Sequence, residues 1–447
     1  MTRALHPRRA PGLPGTGAGP RTAGWRARPA ALADRLRTIH FTFLGVEVDA
    51  RMLASILTAF VVTKVMIAAI IFVSSVALPM AEGSGHLFWN PANLVLDGLV
   101  RDDSWWYATI AHNGYTMGDL ATDAQGSVAF FPLYPLLTRI VAIGTGSVFP
   151  AGLIVSNLAF LLGLGYVYAL ARHEFEDRTA SRAVFYVAAA PTAIFFMAMY
   201  TESLFLLVTA ATFYYARTGR WLGAAIAGAL AAATRNTGAT LALVVALEAL
   251  RQAGFRWRPP LHPAEWGEHL GRDLRAVRGA LPGLIAAAIV PLGLVAYMAY
   301  LAISFGDPLG FIHVQATWGR DVTGIGLAGL WDDTLRTLHL GAQPLAGQVS
   351  SKTLMDVVAT IGAVGLVLAV LRKLPATYGA YLLLAILIPL STGSVGSMTR
   401  YILMLWPAML VVGRWGRHGA VDRTVLAIFL PLSAYFAILF SHWVFAG

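Results

Sequence analysis

The first sustained apolar run of the chain starts only at Met52; residues 1–50 begin with an Arg/Pro/Gly/Ala-rich tail through about Pro29, which has too few large apolar side chains to fold alone. They predict a basic, disordered cytoplasmic tail, with 51–447 as a single transmembrane domain. From Met52 to Pro79 the run is long enough to cross a hydrocarbon core of roughly 30 Å at about 1.5 Å per residue. Further apolar segments run over Ala151–Ala171, Ala183–Met199, Leu204–Ala216, Trp221–Ala233, Gly238–Leu250, Ala280–Ile303, Leu354–Leu371, Ala376–Leu390, Tyr401–Val412 and Val425–Phe445. The pattern predicts an all-α polytopic membrane protein with about eleven crossings.

The stretch Val128–Ile143 is apolar but carries Pro132, Pro135 and Arg139. Laid in the interface, it leaves every basic connector on the inner side: Arg172–Arg182, Arg217–Arg220, Arg251–Arg278, Arg372–Lys373 and Arg414–Arg423. The N-terminus is then cytoplasmic, in a plasma-membrane protein with an outer loop over 80–149, a cytoplasmic loop over 251–279 and a second outer loop over 304–352. Several middle segments have only thirteen to seventeen apolar residues, short of the roughly twenty a crossing needs. Such helices stop below the outer surface and leave a polar vestibule.

Composition agrees: 57% of residues are hydrophobic and 13% charged, about half the charge of a soluble domain. Without cysteine, disulfides and thiolate metal sites are excluded. The net charge of +10 follows from arginines held on one side of a membrane and calls for no nucleic acid. Membrane lipids are the expected surroundings. The His262, Glu265, Glu268 and His269 grouping lacks the spacing of a zinc helix motif.

In so apolar a chain, ionisable side chains near helix ends are candidate functional groups. Arg101, Asp102, Asp103, Trp105, Trp106 and Tyr107 crowd into one short piece that continues through His112 and Tyr115. A carboxylate there can take a proton from a hydroxyl, or it can cap the following helix. Residues 104–112 predict a short amphipathic helix with Trp105, Ala108 and His112 on one face and Asp103 at its mouth. The run Phe130–Pro135, including Tyr134, makes a stiff aromatic elbow, either a turn at the interface or a platform for a sugar face or an isoprenoid tail. Tyr200-Thr201-Glu202, Arg235-Asn236 and Arg400-Tyr401 fall at outer helix ends, as does the loop carrying Gln315 and Trp318. Arginine forks suit phosphate oxygens, and ion pairs of Arg235 or Arg400 with Glu202 or an aspartate are the competing reading.

These residues carry a resemblance. Asp103, Trp106-Tyr107, Ile110-Ala111 and Gly114-Tyr115 resemble the Arg-Trp-Asp-x-x-Trp-Tyr-x-x-Ile-Ala-x-x-Gly-Tyr signature of PIG-V-type mannosyltransferases. So, in order, do Ala129–Pro135, Ser156-Asn157-Leu158-Ala159, Tyr200–Ser203, Ala232–Gly238, and Gln315 with Trp318. One position departs: the tryptophan of the triplet is Asp102 here. The resemblance implies a GT-C-like helical glycosyltransferase that transfers a hexose, expected to be mannose, from a polyprenyl-phosphate carrier on the extracytoplasmic face with inversion. The family's eukaryotic members act in GPI-anchor biosynthesis.

On that footing Asp103 is the expected general base, with Asp102 second. Arg235 and Arg400 neutralise the departing phosphate. Glu202, His112 and Gln315 orient hydroxyls, while Trp105, Trp106 and Tyr134 wall the pocket. Arg101, Tyr107, Tyr115, Tyr200, Asn236, Trp318 and Tyr401 complete the substrate-binding set. No metal or cofactor is required beyond the lipid-phosphate sugar donor, and the acceptor is a glycolipid, a polysaccharide or a protein. A lipid or small-solute transporter is the alternative, but its route needs polar residues through the membrane depth, and here they gather at one end. A non-catalytic scaffold is the third.

Overall fold

The computed structural model describes residues 40–80, 86–118, 122, 124–255, 266–318, 351–390 and 397–444. Two units divide the chain, Met1–Ala50 and Arg51–Gly447. In the first, where the sequence predicts only a tail, β1 (His40–Phe43) and β2 (Val46–Asp49) form an antiparallel hairpin with His40 opposite Asp49 and Phe43 opposite Val46. The two-residue turn Leu44-Gly45 has φ of +46° and +75°, the positive pair that matches strand twist in tight hairpins. Residues 1–39 of the expected tail lie outside the described residues.

The second unit is helical. Counting helices of ten residues or more, they are α1 (Ala50–Ala77), α2 (Asp103–Asn113), α3 (Leu133–Thr145), α4 (Val148–Glu174), α5 (Asp177–Ala188), α6 (Glu202–Arg217), α7 (Trp221–Thr234), α8 (Leu241–Gln252), α9 (Trp266–Ile289), α10 (Leu292–Phe305), α11 (Ser351–Lys373), α12 (Ala376–Leu390), α13 (Trp406–Trp415) and α14 (Gly419–Ser441). Among the described residues five helical stretches are long and apolar enough to cross a membrane: Ala50–Ala77, Val148–Glu174, Gly271–Phe305, Leu354–Lys373 and Gly419–Ser441. The chain is therefore a multi-pass membrane protein. In α1 a stripe at helical spacing (Met52, Ile56, Ala59, Thr63, Ile67, Ile71) is buried, while Leu57, Val61, Val65, Phe72 and Val76 are exposed. An exposed face made of apolar side chains suits lipid rather than water.

Helices α3, α5 and α6 pack on α4; α7 packs on α6; α9 packs on α7 and α8; and α13 packs on α5. The shorter elements depart from the expected spans. Ala183–Met199 is not one helix: α5 ends at Ala188, and the chain passes Pro191 into a 3₁₀ turn at Ala193–Phe196. Proline supplies no N–H and disfavours helical backbone in the residue before it. Likewise Asn236–Thr240 and Ile402–Leu405 are 3₁₀ turns ahead of α8 and α13. Gly271–Phe305 breaks at Pro291, between α9 and α10. Helix α3, with 13 residues, spans about 20 Å, less than a hydrocarbon core.

Candidate active site

Four chain breaks converge, each carrying one charged side chain. Asp103 and Glu202 are the first residues of α2 and α6, Arg235 is the C-cap of α7, and Arg400 lies in the four-residue turn Met398–Tyr401. Acids at helix N-termini and a base at a C-terminus agree with the helix dipole. Gly238 lets the chain fold back beside α7, because a Cβ there would collide with the Ala231 backbone.

The four side chains form a ladder of alternating charge. Arg400 Nη1 donates to Asp103 Oδ2 at 2.6 Å, Arg400 Nε to Glu202 Oε1 at 2.5 Å, and Arg235 Nη1 to the same Glu202 oxygen at 2.9 Å. Aromatic faces flank both guanidinium groups, Tyr200 4.9 Å from Arg400 and Tyr401 5.5 Å from Arg235. Side-chain exposure rises from 2% at Glu202 and 9% at Arg400 to 14% at Arg235 and 17% at Asp103. The ends of the ladder are thus more exposed than its middle. Glu202 bridges two arginines through Oε1 from a buried position, and its Oε2 is buried with no hydrogen-bond partner among the described residues.

Other expected site residues do structural work. Arg101 is fully buried: Nη2 meets Asp97 Oδ2 at 2.8 Å, Nη1 donates to the Asp97 carbonyl at 2.6 Å, and Nε to the Ser441 carbonyl at 3.1 Å. Burial pulls its pKa below the ordinary value while Asp97 opposes the change. Tyr134 is fully buried, donating to the Gly152 carbonyl at 2.9 Å with Ser156 Oγ at 2.8 Å. Tyr200, also fully buried, accepts the Asp103 N–H at 3.1 Å and so holds the mouth of α2. Tyr107 is buried with its hydroxyl 3.4 Å from Thr201 Oγ1, and burial pushes its pKa up, so it stays protonated. Neither Tyr134, Tyr200 nor Arg101 presents a free face to a substrate.

Asp102 has φ +47° and its side chain does not cap α2. The buried residues of α2 are Ser104, Tyr107, Ala108, Ile110 and Ala111, and His112 is exposed. Trp106 stacks on Phe130 at 5.8 Å and Trp105 meets Phe149 edge-on at 5.0 Å. Asn236 is exposed and Gln315 Nε2 donates to the Phe311 carbonyl at 3.3 Å. The Trp318 side chain lies outside the described residues. Tyr115 donates to the Phe130 carbonyl at 2.9 Å and helps line a mostly apolar cavity of about 430 Å³ with Pro132, Leu136, Tyr297, Tyr300 and Ala233, the last of these two residues before Arg235. Among the described residues no three or more His, Cys, Asp or Glu gather as a metal site.

Buried ionisable residues absent from the sequence reading include Asp97 on Arg101, Lys64, whose Nζ donates to the Phe196 carbonyl at 2.6 Å, Glu248, which accepts from Arg217 at 2.8 Å, and Asp356. Each is a lone ionisable residue next to or inside an apolar run, and that was the available signal.

Residues 44–255 match the family model described as Mannosyltransferase (PIG-V). No curated protein matches the chain. Among solved structures, ArnT from Cupriavidus metallidurans bound to undecaprenyl phosphate aligns with 15% identity and a TM-score of 0.45, over 87% of this chain and 76% of that one. The Archaeoglobus fulgidus oligosaccharyltransferase in complex with Zn and sulfate aligns with 13% identity and a TM-score of 0.39, over 87% of this chain. The present chain covers 53% of that enzyme, about half its length.

Proposed function

We propose that this chain is a membrane glycosyltransferase, on the strength of the PIG-V-type family match over residues 44–255 and the charge ladder built from Asp103, Arg400, Glu202 and Arg235. It transfers a hexose, read as mannose, from a polyprenyl-phosphate carrier to an acceptor hydroxyl. The site lies on the extracytoplasmic face of the plasma membrane in a GT-C-like helical domain. The acceptor is a glycolipid, a polysaccharide or a protein.

The observation that carries the reading is the exposure gradient of the ladder. Asp103, at the open end, takes the proton of the acceptor hydroxyl as that oxygen bonds to the anomeric carbon. The bond from that carbon to the phosphate oxygen breaks on the opposite side, which inverts the centre. The phosphate gains a negative charge in the step in which Asp103 loses one. Arg400 touches Asp103 directly, so its counterion is neutralised as a new anion forms nearby. Arg235, at the other open end, offers its remaining donors to the same phosphate. Preformed charges of this kind stabilise a transition state without reorganisation. The apolar cavity beside Ala233 receives the first isoprene units of the carrier. Asp102 is the second candidate base, and the scheme requires no metal.

Purified full-length protein incubated with radiolabelled polyprenyl-phosphate mannose and a glycolipid, polysaccharide or peptide acceptor tests this. Label leaving the lipid for an acceptor or for water supports a transferase. Movement of intact labelled lipid between leaflets without release of sugar supports a transporter.

A further inference from the structure

Arg400 sits on a short support. The turn Met398–Tyr401 is entered through Ser397 at φ +71°, and the first N–H groups of any helical turn have no partner within it. Here two of the N–H groups at its entry, those of Ser397 and Thr399, end on one carboxylate. Asp356, on α11 and 1% exposed, accepts the Ser397 N–H at 3.3 Å, and both the N–H and the hydroxyl of Thr399 at 2.8 Å. On the other side Thr192 donates its hydroxyl to the Thr399 carbonyl at 2.9 Å. The residue after Thr399 is the arginine that joins Asp103 to Glu202.

We propose that Asp356 is a positioning residue for the transfer reaction: it fixes the Ser397–Thr399 backbone so that the Arg400 guanidinium is held between Asp103 and Glu202. This rests on the reading of that ladder as the reacting site. A buried carboxylate in a membrane helix is costly to place, and a merely apolar contact would have held the helix equally well. What the carboxylate adds is three converging acceptor contacts on one turn. Charge-assisted hydrogen bonds of this type are about twice as strong as neutral ones. Asparagine at 356 can keep Oδ1 toward Thr399 but would turn an N–H₂ toward the Ser397 N–H, so it restores part of the support. Leucine restores none. Both Asp356 and Arg400 lie beyond residue 255, where the family match ends.

The test is a double-mutant cycle on purified full-length protein, reading kcat/KM for transfer from polyprenyl-phosphate mannose. Asp356→Asn, Asp356→Leu and Thr399→Val are made alone and combined with Arg400→Lys. Coupled residues are non-additive. Asp356→Asn is expected to lower kcat/KM about tenfold and Asp356→Leu about a hundredfold with Arg400 present, and each about twofold or less in the Arg400→Lys background. The same factor in both backgrounds overturns the positioning role while leaving the active-site reading intact. If Arg400→Lys alone keeps the wild-type rate, the active-site reading fails and this inference with it. Should the Asp356 variants not be recovered folded, Thr399→Val decides. A loss of about threefold that disappears in the Arg400→Lys background supports the role, and an unchanged rate overturns it.

Discussion

Replacing Glu202 by glutamine removes one negative charge from the middle of the ladder while keeping an oxygen where Oε1 accepts from both arginines, at 2.5 and 2.9 Å. Glu202 has 2% side-chain exposure, so solvent does not screen its loss. Two charge-assisted hydrogen bonds become bonds to a neutral acceptor. The guanidinium donors stay charged, so each bond remains charge-assisted; what is lost is the attraction of one buried carboxylate for two guanidinium groups, a part of the cost of breaking such a pair outright, about 3–5 kcal/mol. The loss is therefore below that figure, roughly 2–3 kcal/mol, and Arg235 and Arg400 are left with Asp103 as the one acid remaining in the ladder. Glu202→Leu also removes the acceptor and breaks a buried pair outright, at about 3–5 kcal/mol. Unfolding by SDS titration, followed by tryptophan fluorescence, measures both. Transfer from labelled donor should fall by about 30-fold or more in Glu202→Gln, since about 1.4 kcal/mol is a factor of ten. If Glu202→Gln matches wild type in both stability and rate, the ladder is neither held by Glu202 nor needed for the reaction.

Tyr134→Phe removes a buried hydroxyl that contacts Gly152 and Ser156; SDS unfolding should show a loss of about 1–2 kcal/mol with an unchanged KM for the donor. Arg101→Ala leaves Asp97 buried without its partner, and the yield of folded protein on size exclusion should drop sharply, corresponding to about 3–5 kcal/mol. Asp307 accepts the Leu309 N–H and pairs with His313 at 2.7 Å, and its pKa is lowered chiefly by the His313 hydrogen bond. A lowered acid pKa adds stability above the ordinary value of about 3.9, and that stability is lost as pH falls through the lowered one. Exchange of the Leu309 amide should therefore lose its protection on acidification, and Asp307→Asn should remove that pH dependence.

The charged side chains of the ladder were legible in the sequence because an ionisable side chain is expensive in an apolar chain. Asp103, Glu202, Arg235 and Arg400 stood out on that ground, and the structure brings all four together. Which of them a substrate can reach was not legible, since Glu202 lies under its two arginines only once four separate segments have folded. The aromatic residues show the same limit. Tyr134 and Tyr200 have the composition of a sugar-binding wall, yet their hydroxyls tie helices together. Asp356 was lost in the average of the apolar run Leu354–Leu371. Pro191 marked the break in Ala183–Met199, but a hydropathy window passes over a single proline. The alternation Val46-Glu47-Val48-Asp49 after Leu44-Gly45 is the signal of a hairpin, in a short segment that follows the arginine-, proline- and glycine-rich tail.

The most direct measurement is the transfer rate of Asp103→Asn, purified in a folded state and saturated with donor. Asparagine keeps the shape and an acceptor for Arg400 but cannot take a proton from an acceptor hydroxyl. The variant's kcat is expected to fall at least about a hundredfold, the lower range of what a general base contributes, with donor affinity changed little. Transfer at the wild-type rate by that variant would contradict Asp103 as the general base.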